Sequence, residues 1–441
     1  MEEYHEDGQA AQGVGQALRA YVSRVLEALD EQLDRRLVRT LLGLLQAMLL
    51  HRHRENGLLL SELGSYVAGD GHAPAGTKRL SNLLRSRKWS HTQIEEELWR
   101  RAEAKVTEVT ESGGRALLLW DESAVEKSES VASPDLCGVR SSKAARKLRI
   151  KPGYPTPPTH RPVFVPGLPM VALLVAAMQG APVLANLTFW TRRGPHATSH
   201  AEVTAQLFVE CVRRWGERVL HVCDRGYASS TWVGRFIEAQ VDFVVRWRTD
   251  YKLVDAKGER TSGRMTVGKR SLDHRLVYDA RRHCERTVGI LYFPVHHPRF
   301  PDAPLWLVVG RPKQGNPWHF LTNLPIDSIE DAWRILFIYV RRWQVEMAFR
   351  FLKSELALES PRLWFWENRL KLFAIVALLY SFLVSLLLPP FDPLRTYLLQ
   401  HWCKRTGKRH REAAMPLYRL RYALTRLLHY HPLHLPWPTP G

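Results

Sequence analysis

The sequence predicts a mixed α/β protein that is preceded by an all-helical N-terminal part, and three observations carry this prediction. Helical periodicity fills residues 14 to about 110. Between 113 and 248, short apolar runs that end in aspartate alternate with helical segments. From 249 to 325 the helical period gives way to short β-type runs separated by Gly, Pro and Asp. Such an α/β order predicts a sheet with its ligands gathered at strand ends.

Composition allows a large globular protein with a polyanionic partner. The 441 residues are enough for two or three domains, and 45% hydrophobic content with 15 Trp can fill sizeable cores. Lys and Arg number 63 against 44 Asp and Glu, which gives a formal charge of +19. Nucleic acid is therefore the first partner to consider, although a soluble protein that is merely basic would have the same composition.

The cysteine pattern and the N-terminus favour a cytoplasmic protein. The five cysteines are scattered without a CxxC pair, so neither a disulfide framework nor a zinc site is indicated. The first ten residues, MEEYHEDGQA, are acidic where a signal peptide needs positive charge. We therefore expect a reducing, cytoplasmic environment.

Residues 1–112 are predicted to form a helical DNA-binding domain. Its helical segments carry basic residues that suit phosphate contacts, and helices of this size suit groove reading. A solvated helical face is the alternative interpretation. The basic residues in question are Arg52, Arg54, Lys78, Arg79, Arg85, Arg87 and Lys88.

The segment 113–248 contains two apolar strands that end in an aspartate. RALLLWDES places Asp121 at the carboxyl end of the first, and RVLHVCDRGY places Asp224 at the end of the second. Asp224 has an alternative use as a turn-forming residue before Gly226. Glu122 is an alternative to Asp121, and strand alternation decides between them.

His196 and His200, in RRGPHATSHAEV, lack further ligands and are expected to be structural. The connector from about 141 to 162 is basic and rich in proline.

Helical periodicity returns after the β-rich segment 249–325. A capping box from Ser328 to Asp331 predicts the start of one long helix that runs to about Leu356. The segment 326–391 also contains a run of seventeen uncharged residues at 372–388. We interpret this run as a buried core helix and not as a membrane anchor. Residues 392–441 are predicted to be a basic C-terminal tail with a proline-rich end.

Four residues of the long helix are predicted to share one face. At 100° per residue, Tyr339, Arg342, Glu346 and Lys353 fall at about 0°, 300°, 340° and 320° around the helix axis. This stripe is about 60° wide on the same helical wheel and predicts the wall of a site.

Asp121, Asp224 and Glu346 together supply the hard oxygen ligands that a two-metal centre needs. Mg²⁺ or Mn²⁺ is the implied cofactor, with two ions acting on an in-line displacement at phosphorus. Arg342 and Lys353 could then hold flanking phosphates of DNA.

The spacing Tyr339-x2-Arg342-x3-Glu346-x6-Lys353 resembles the signature of the IS4-type family of bacterial insertion-sequence transposases. LLLWDES and CDRGY resemble the strands of that family's first and second aspartates. The resemblance implies an RNase H-like catalytic domain, here 113–248 and 326–391, interrupted by a β-rich insertion at 249–325. It also implies a catalytic triad of Asp121, Asp224 and Glu346.

The same resemblance gives Trp318 a role. Trp318, in NPWHFLTNLP, is similar in position to an aromatic residue on which a base flipped out beside the cut is stacked. Such stacking stabilises an extruded base by about 1–3 kcal/mol. An ordinary core aromatic is the alternative interpretation of Trp318.

The resemblance implies a cut-and-paste transposase with transposon-end DNA and target DNA as partners. It would bind terminal inverted repeats, cleave the ends through a hairpin intermediate, and join the 3′-OH to target DNA. A homodimer assembled on DNA in the bacterial nucleoid is expected, and no membrane partner. Two alternatives are an inactive former transposase that acts as a DNA-binding protein, and a nuclease of the same fold without strand transfer.

Overall fold

The computed structural model describes residues 2–127, 133–142, 162–279, 284–404, 407 and 415–433. Most of the predicted proline-rich connector at 141–162 lies outside these residues. So do most of the basic run KRTGKRHRE at 404–412 and most of the proline-rich C-terminal end.

The N-terminal part is helical as the periodicity predicts. Asp34 caps the second helix, since its carboxylate accepts a hydrogen bond from the backbone N–H of Arg36 at 2.7 Å. The apolar faces of the first four helices and the start of the fifth are buried in a core cluster that they share with the C-terminal helices. The helices are α1 (Glu2–Asp30), α2 (Arg35–Leu50), α3 (Leu60–Ala68), α4 (Ala73–Arg85) and α5 (Thr92–Glu111).

Arg52, one of the basic residues predicted to contact DNA, is engaged within the protein. Its Nε donates to Glu355 Oε2 at 2.6 Å, and its Nη2 donates to Glu355 Oε1 at 3.0 Å. This two-pronged contact fixes the end of α2 to the C-terminal half of the chain.

The centre of the molecule is a sheet that holds twelve strands within the described residues. Its order is β2-β3-β1-β5-β6-β12-β11-β10-β7-β8, with β4 paired to β3 and β9 paired to β10. The strands are β1 (Ala116–Glu126), β2 (Cys137–Arg140), β3 (Phe164–Ala176), β4 (Val183–Phe189), β5 (Val219–Cys223), β6 (Asp242–Trp247), β7 (Lys252–Asp255), β8 (Gly258–Thr261), β9 (Asp273–Asp279), β10 (Cys284–His297), β11 (Phe300–Pro312) and β12 (Trp318–Thr322).

Strand β1 changes partner beside Asp121. It runs parallel to β5, and the last residue pair in this register is Leu119 with Val222. Two residues further along both segments, the same register places Asp121 beside Asp224. It also pairs antiparallel with β3 along its length, from Leu117 to Glu126. The prediction that β1 ends at Asp121 is therefore wrong, because β3 still supplies backbone hydrogen bonds after β5 has ended.

The β-rich segment after β6 extends the same sheet. Strand β12 pairs antiparallel with β6, with His319 opposite Trp247, and β11 and β10 follow in antiparallel order. The far edge of this extension carries β7, β8 and β9. Trp318, the first residue of β12, thus lies at the same end of the sheet as the carboxyl ends of β5 and β6.

Helices cover both faces of the sheet, which separates two hydrophobic clusters. Besides α1 to α5, the α-helices in the described residues are α6 (His200–Trp215), α7 (Ser230–Glu238), α8 (Ser262–Met265), α9 (Ile329–Arg341), α10 (Trp343–Ser354), α11 (Trp366–Ser385), α12 (Asp392–Tyr397) and α13 (Leu417–Tyr430). One face of the sheet packs against the N-terminal helices and α9, α10, α11 and α13, and the other face packs against α6, α7 and part of α5.

The predicted long helix from Ser328 is two helices, α9 and α10, with a break at Arg342. The capping box at its start is confirmed. Ser328 Oγ accepts from the backbone N–H of Asp331 at 3.2 Å, and Asp331 Oδ2 accepts from the backbone N–H of Ser328 at 3.0 Å.

The apolar helix α11 lies within the protein. Among the described residues it is the one helix that is long and apolar enough to cross a membrane, and 89% of its most apolar stretch of 18 residues is buried inside the protein. It packs against α4, α5, β4 and α13. These contacts support the interpretation of residues 372–388 as a core helix.

The predicted C-terminal tail contains a buried helix, so the description of 392–441 as a tail is wrong for α13. Arg421 on α13 is 0% exposed and donates to the backbone carbonyls of Met48 at 2.5 Å and of Leu49. A guanidinium that satisfies the last carbonyls of α2 stabilises that helix end, and this arginine is not available to DNA phosphates.

Candidate active site

Three elements bring Asp121, Asp224 and Glu346 together. Asp121 lies within β1, Asp224 follows the last residue of β5, and Glu346 lies in the first turn of α10. Because β1 and β5 are parallel neighbours, the two aspartates lie side by side at one level of the sheet. Helices α9 and α10 pack over this level and carry Glu346 to it.

Arg342 joins the carboxylates. Its Nη1 donates to Asp121 Oδ2 at 2.7 Å, and its Nη2 donates to Glu346 Oε1 at 2.5 Å. Its Nε donates to the hydroxyl oxygen of Tyr339 at 3.2 Å, and that hydroxyl donates to Asp224 Oδ1 at 3.0 Å. One buried guanidinium therefore links, directly or through Tyr339, all three predicted catalytic residues.

The break between α9 and α10 produces this arrangement. The backbone N–H of Arg342 donates to Tyr339 O at 3.0 Å, and the N–H of Val345 donates to Arg342 O at 3.0 Å. Both hydrogen bonds span three residues, which tightens the turn relative to an α-helix. The residue at this turn is the one that contacts the carboxylates.

Burial raises the pKa of Asp121 to about 6. The guanidinium of Arg342 opposes this rise, and the neighbouring carboxylates of Asp224 and Glu346 add to it. Carboxylates that lie close together in a largely buried site repel one another when all are charged, and this repulsion favours protonation of one of them. The charge of Asp121 therefore responds to pH near neutrality.

The pKa of Asp224 is lowered. Burial acts against its charged form, but the Arg342 guanidinium, the backbone N–H of Arg225 and the Tyr339 hydroxyl together outweigh burial. Burial also raises the pKa of Tyr339 to about 12, so its hydroxyl stays protonated and can donate to Asp224.

Lys353 reaches the same site from the next turns of α10. Its Nζ donates to Ser123 Oγ at 2.8 Å and lies 3.9 Å from Glu359 Oε1. Since Ser123 is two residues from Asp121 on β1, its side chain leaves the strand on the same face as Asp121. The structure therefore brings together Tyr339, Arg342, Glu346 and Lys353, the four residues of the predicted stripe.

Glu122 belongs to a different contact. Its Oε1 lies 2.7 Å from Nε2 of His200, the first residue of α6, on the other face of β1. This hydrogen bond raises the pKa of His200, although burial opposes the rise. This contact with Glu122 gives His200 a structural role, the role expected for it, and its partner was not predicted. Strand alternation at Asp121 and Glu122 could have suggested a partner on this face.

Arg246 is a site residue that the sequence analysis missed. The parallel register of β5 and β6 continues to Asp224 beside Arg246. The guanidinium carbon of Arg246 lies 5.8 Å from the centre of the Tyr339 ring. The signal was the arginine in the segment VDFVVRWR, one residue before the end of β6.

Trp318 lies at the start of β12 and is partly buried. Its ring packs on the hydrophobic core beside Gly310, where an added Cβ would lie 3.2 Å from Trp318 Cε3. The ring is thus both a core contact and partly open to solvent, so both interpretations of Trp318 fit its position.

The carboxylate donors suit a divalent ion chemically, since Asp and Glu oxygens are the ligands that Mg²⁺ and Mn²⁺ prefer. Their arrangement differs from that of a metal site. In the part of the chain that the structure describes, no group of three His, Cys, Asp or Glu side chains is placed to hold an ion. Arg342 accounts for this, because it holds Asp121 and Glu346 on separate nitrogens.

Comparison with known proteins points to one class. Residues 190–382 match the family described as Transposase DDE domain. This match supports a DDE transposase. The matched DDE region contains Asp224, Glu346 and the other three signature residues, whereas Asp121 precedes it.

This chain also resembles a solved structure. A chain described as piggyBac transposase in a synaptic complex with hairpin DNA is similar with a TM-score of 0.37 and 13% identity. The similarity covers 74% of this chain, which spans 58% of the length of that chain. No curated protein matches this sequence.

Proposed function

We propose that this protein is a cut-and-paste DNA transposase of the IS4 type. It would bind the terminal inverted repeats of its element, cleave the ends and join the 3′-OH to target DNA. The observation that carries the proposal is the contact of Arg342 and Tyr339 with Asp121, Asp224 and Glu346. The match to the Transposase DDE domain over residues 190–382 supports it.

We propose that the catalytic domain is RNase H-like and consists of residues 113–248 and 326–391, with 249–325 as an insertion. The strand order β4-β3-β1-β5-β6 supports this part of the proposal, because three antiparallel strands are followed by two parallel ones. The later strands β7 to β12 follow β6 in the chain and extend the sheet beyond it, as expected for an insertion.

Asp121, Asp224 and Glu346 would hold divalent ions, which we propose to be two Mg²⁺ or Mn²⁺. Such ions supply a more acidic attacking oxygen and charge stabilisation of the leaving oxygen. Arg342 must release Asp121 and Glu346 for these carboxylates to turn toward an ion. A guanidinium freed in this way is suited to a DNA phosphate, which it can bind with two parallel hydrogen bonds.

The other signature residues have separate tasks in this proposal. Tyr339 holds Asp224 in place through its hydroxyl. Lys353, on the helix of Glu346, would bind a phosphate of the same DNA strand. The flipped base would stack on Trp318, which lies at the end of the sheet where β5 ends.

The proposed partners are transposon-end DNA and target DNA, bound by a homodimer in the bacterial nucleoid. The formal charge of +19 supports a DNA partner, and binding is expected to weaken steeply as salt rises. Pairing of two transposon ends is the reason to propose a dimer.

The test is Mg²⁺-dependent cleavage and joining of duplexes that carry the element's own ends. We expect Glu346→Gln to abolish both activities and to leave DNA binding measurable. The matched control is Glu238→Gln, since Glu238 is exposed on α7 away from the site. A native chain that binds the ends without cutting them would indicate the inactive DNA-binding alternative. Cut ends that are never joined would indicate a nuclease.

A further inference from the structure

A cavity of about 430 Å³ lies beside the candidate active site, past Asp121 along β1. Glu122 and Ser123, the two residues after Asp121, form part of its wall. Lys353, from the helix that carries Glu346, forms another part. The cavity thus begins where a DNA strand bound at the carboxylates would leave the site. Its remaining walls come from β1, β2, β3 and the loop after β4, and are formed by Ala124, Glu126, Val139, Arg140, Ser142, Phe164, Pro169 and Arg192.

Three cations line this cavity, namely Arg140, Arg192 and Lys353. Its two carboxylates are already engaged with protein donors. Glu126 accepts from Ser141 and Ser142 at 2.8 Å, and Glu122 is paired with His200. Two of the cations have protein partners as well: Arg192 donates to the carbonyl of Gly138 at 2.8 Å, and Lys353 donates to Ser123 Oγ at 2.8 Å and lies 3.9 Å from Glu359. The carbonyl and hydroxyl partners are neutral, and three cations face two carboxylates in the lining, so the cavity favours an anion such as a phosphate.

An aromatic ring stands beside these cations. Phe164 is 61% exposed, although large hydrophobic side chains are usually covered, and it lies opposite Arg140 in the pairing of β2 with β3. Exposed aromatic rings next to basic residues are the features on which proteins stack unpaired bases. A ring and three cations around one cavity match the two parts of a nucleotide, its base and its phosphate.

The position of the cavity separates it from Trp318. Phe164 belongs to β3 and Trp318 to β12, and these strands lie on opposite sides of the pair β1 and β5 that carries the two aspartates. A nucleotide at Phe164 is therefore not the one proposed to stack on Trp318.

We propose that this cavity binds one unpaired nucleotide of the DNA strand that continues past the reacting phosphate. Phe164 stacks its base, and Arg140, Arg192 and Lys353 bind its phosphate. The inference rests on the proposed function, because it places the strand relative to the carboxylates. It adds a second aromatic binding position, on the β3 side of the site.

The test uses a duplex with a three-nucleotide single-stranded extension that carries 2-aminopurine, with EDTA present so that no cleavage occurs. Stacking on an aromatic ring quenches 2-aminopurine fluorescence. We expect Phe164→Ala to abolish this quenching and to weaken binding of the extended duplex by about 5-fold to 150-fold. Binding of a blunt duplex should change little, and Phe164→Trp should restore both signals.

The matched control is Tyr278→Ala, which removes an aromatic ring that is 56% exposed on β9, at the far end of the sheet. Equal quenching and affinity in Phe164→Ala and the native protein would overturn the nucleotide cavity. An equal loss in Tyr278→Ala would overturn it as well. Cleavage by the native protein in Mg²⁺ is measured separately, so failure of the cavity and failure of the proposed transposase activity give different results.

Discussion

Arg342 donates to Asp121 across 221 residues of sequence, with Nη1 2.7 Å from Oδ2. Both side chains are largely buried, at 6% and 14% exposure, so this ion pair is only weakly screened by solvent. The same guanidinium contacts Glu346. Removal of the Arg342 guanidinium would leave the neighbouring carboxylates close together in a largely buried site, without the positive charge that compensates them.

Arg342→Gln is expected to destabilise the protein strongly at pH 8. Breaking a buried pair by removing one partner costs about 3–5 kcal/mol, because a buried charge is left uncompensated. At pH 5 the loss should be smaller, since protonation of Asp121 relieves the repulsion. Urea unfolding at the two pH values in EDTA measures the difference. Arg350→Gln, at an exposed position of α10, is the control and should be near neutral. A loss that does not change between pH 5 and pH 8 would contradict the electrostatic explanation.

The raised pKa of Asp121 predicts a distinct pH dependence of stability. In the folded protein Asp121 holds its proton up to about 6, against an ordinary value of 3.8. The folded state therefore binds more protons than the unfolded state between these values, and this group's contribution to stability falls as pH rises through that window. The free energy of unfolding of the native protein, measured in EDTA relative to Asp121→Asn, should decrease from pH 4 to pH 7. A difference that stays flat or increases would exclude the raised pKa.

Tyr339→Phe removes one hydroxyl and two hydrogen bonds, one donated to Asp224 and one accepted from Arg342. We expect the free energy of unfolding to fall by about 1–3 kcal/mol, since each bond contributes about 0.5–1.5 kcal/mol. The hydroxyl also helps to lower the pKa of Asp224, so the acidic limb of the cleavage profile should move to higher pH. Urea unfolding and a pH–rate profile measure these effects, with Tyr278→Phe at an exposed site as the control. An unchanged acidic limb would mean that Tyr339 does not act on Asp224.

Periodicity and spacing predicted the features of the site that depend on a single element. The helical wheel placed Tyr339, Arg342, Glu346 and Lys353 on one side, and the capping box located the start of α9. The break at Arg342 was not predicted, because a helix that tightens for one turn keeps nearly the same period. Arg246 was missed for a different reason. Its place beside Asp224 depends on the register between β5 and β6, which no single segment of sequence specifies.

The chemistry of Arg342 also depended on tertiary structure. Spacing predicted an arginine on the site wall, and phosphate binding was the natural role for it. Its contacts with Asp121 and Glu346 arise because β1 passes beneath α10, a crossing between elements more than 200 residues apart in the sequence. His200 shows the same limit, since its partner Glu122 lies on β1 and not near it in the chain.

Leu379→Ala tests the interpretation of α11 as a core helix. Leu379 is 0% exposed in the middle of this helix, within the cluster that also holds the N-terminal helices. Truncation of such a side chain leaves a cavity and should lower the free energy of unfolding by about 2–5 kcal/mol in detergent-free buffer. Trp364→Ala, which removes a ring that is 54% exposed just before α11, is the control and should cost far less. If α11 instead faced lipid, the native protein would require detergent to stay monodisperse. Leu379→Ala would then change its stability little, because lipid chains can fill the space that the side chain leaves.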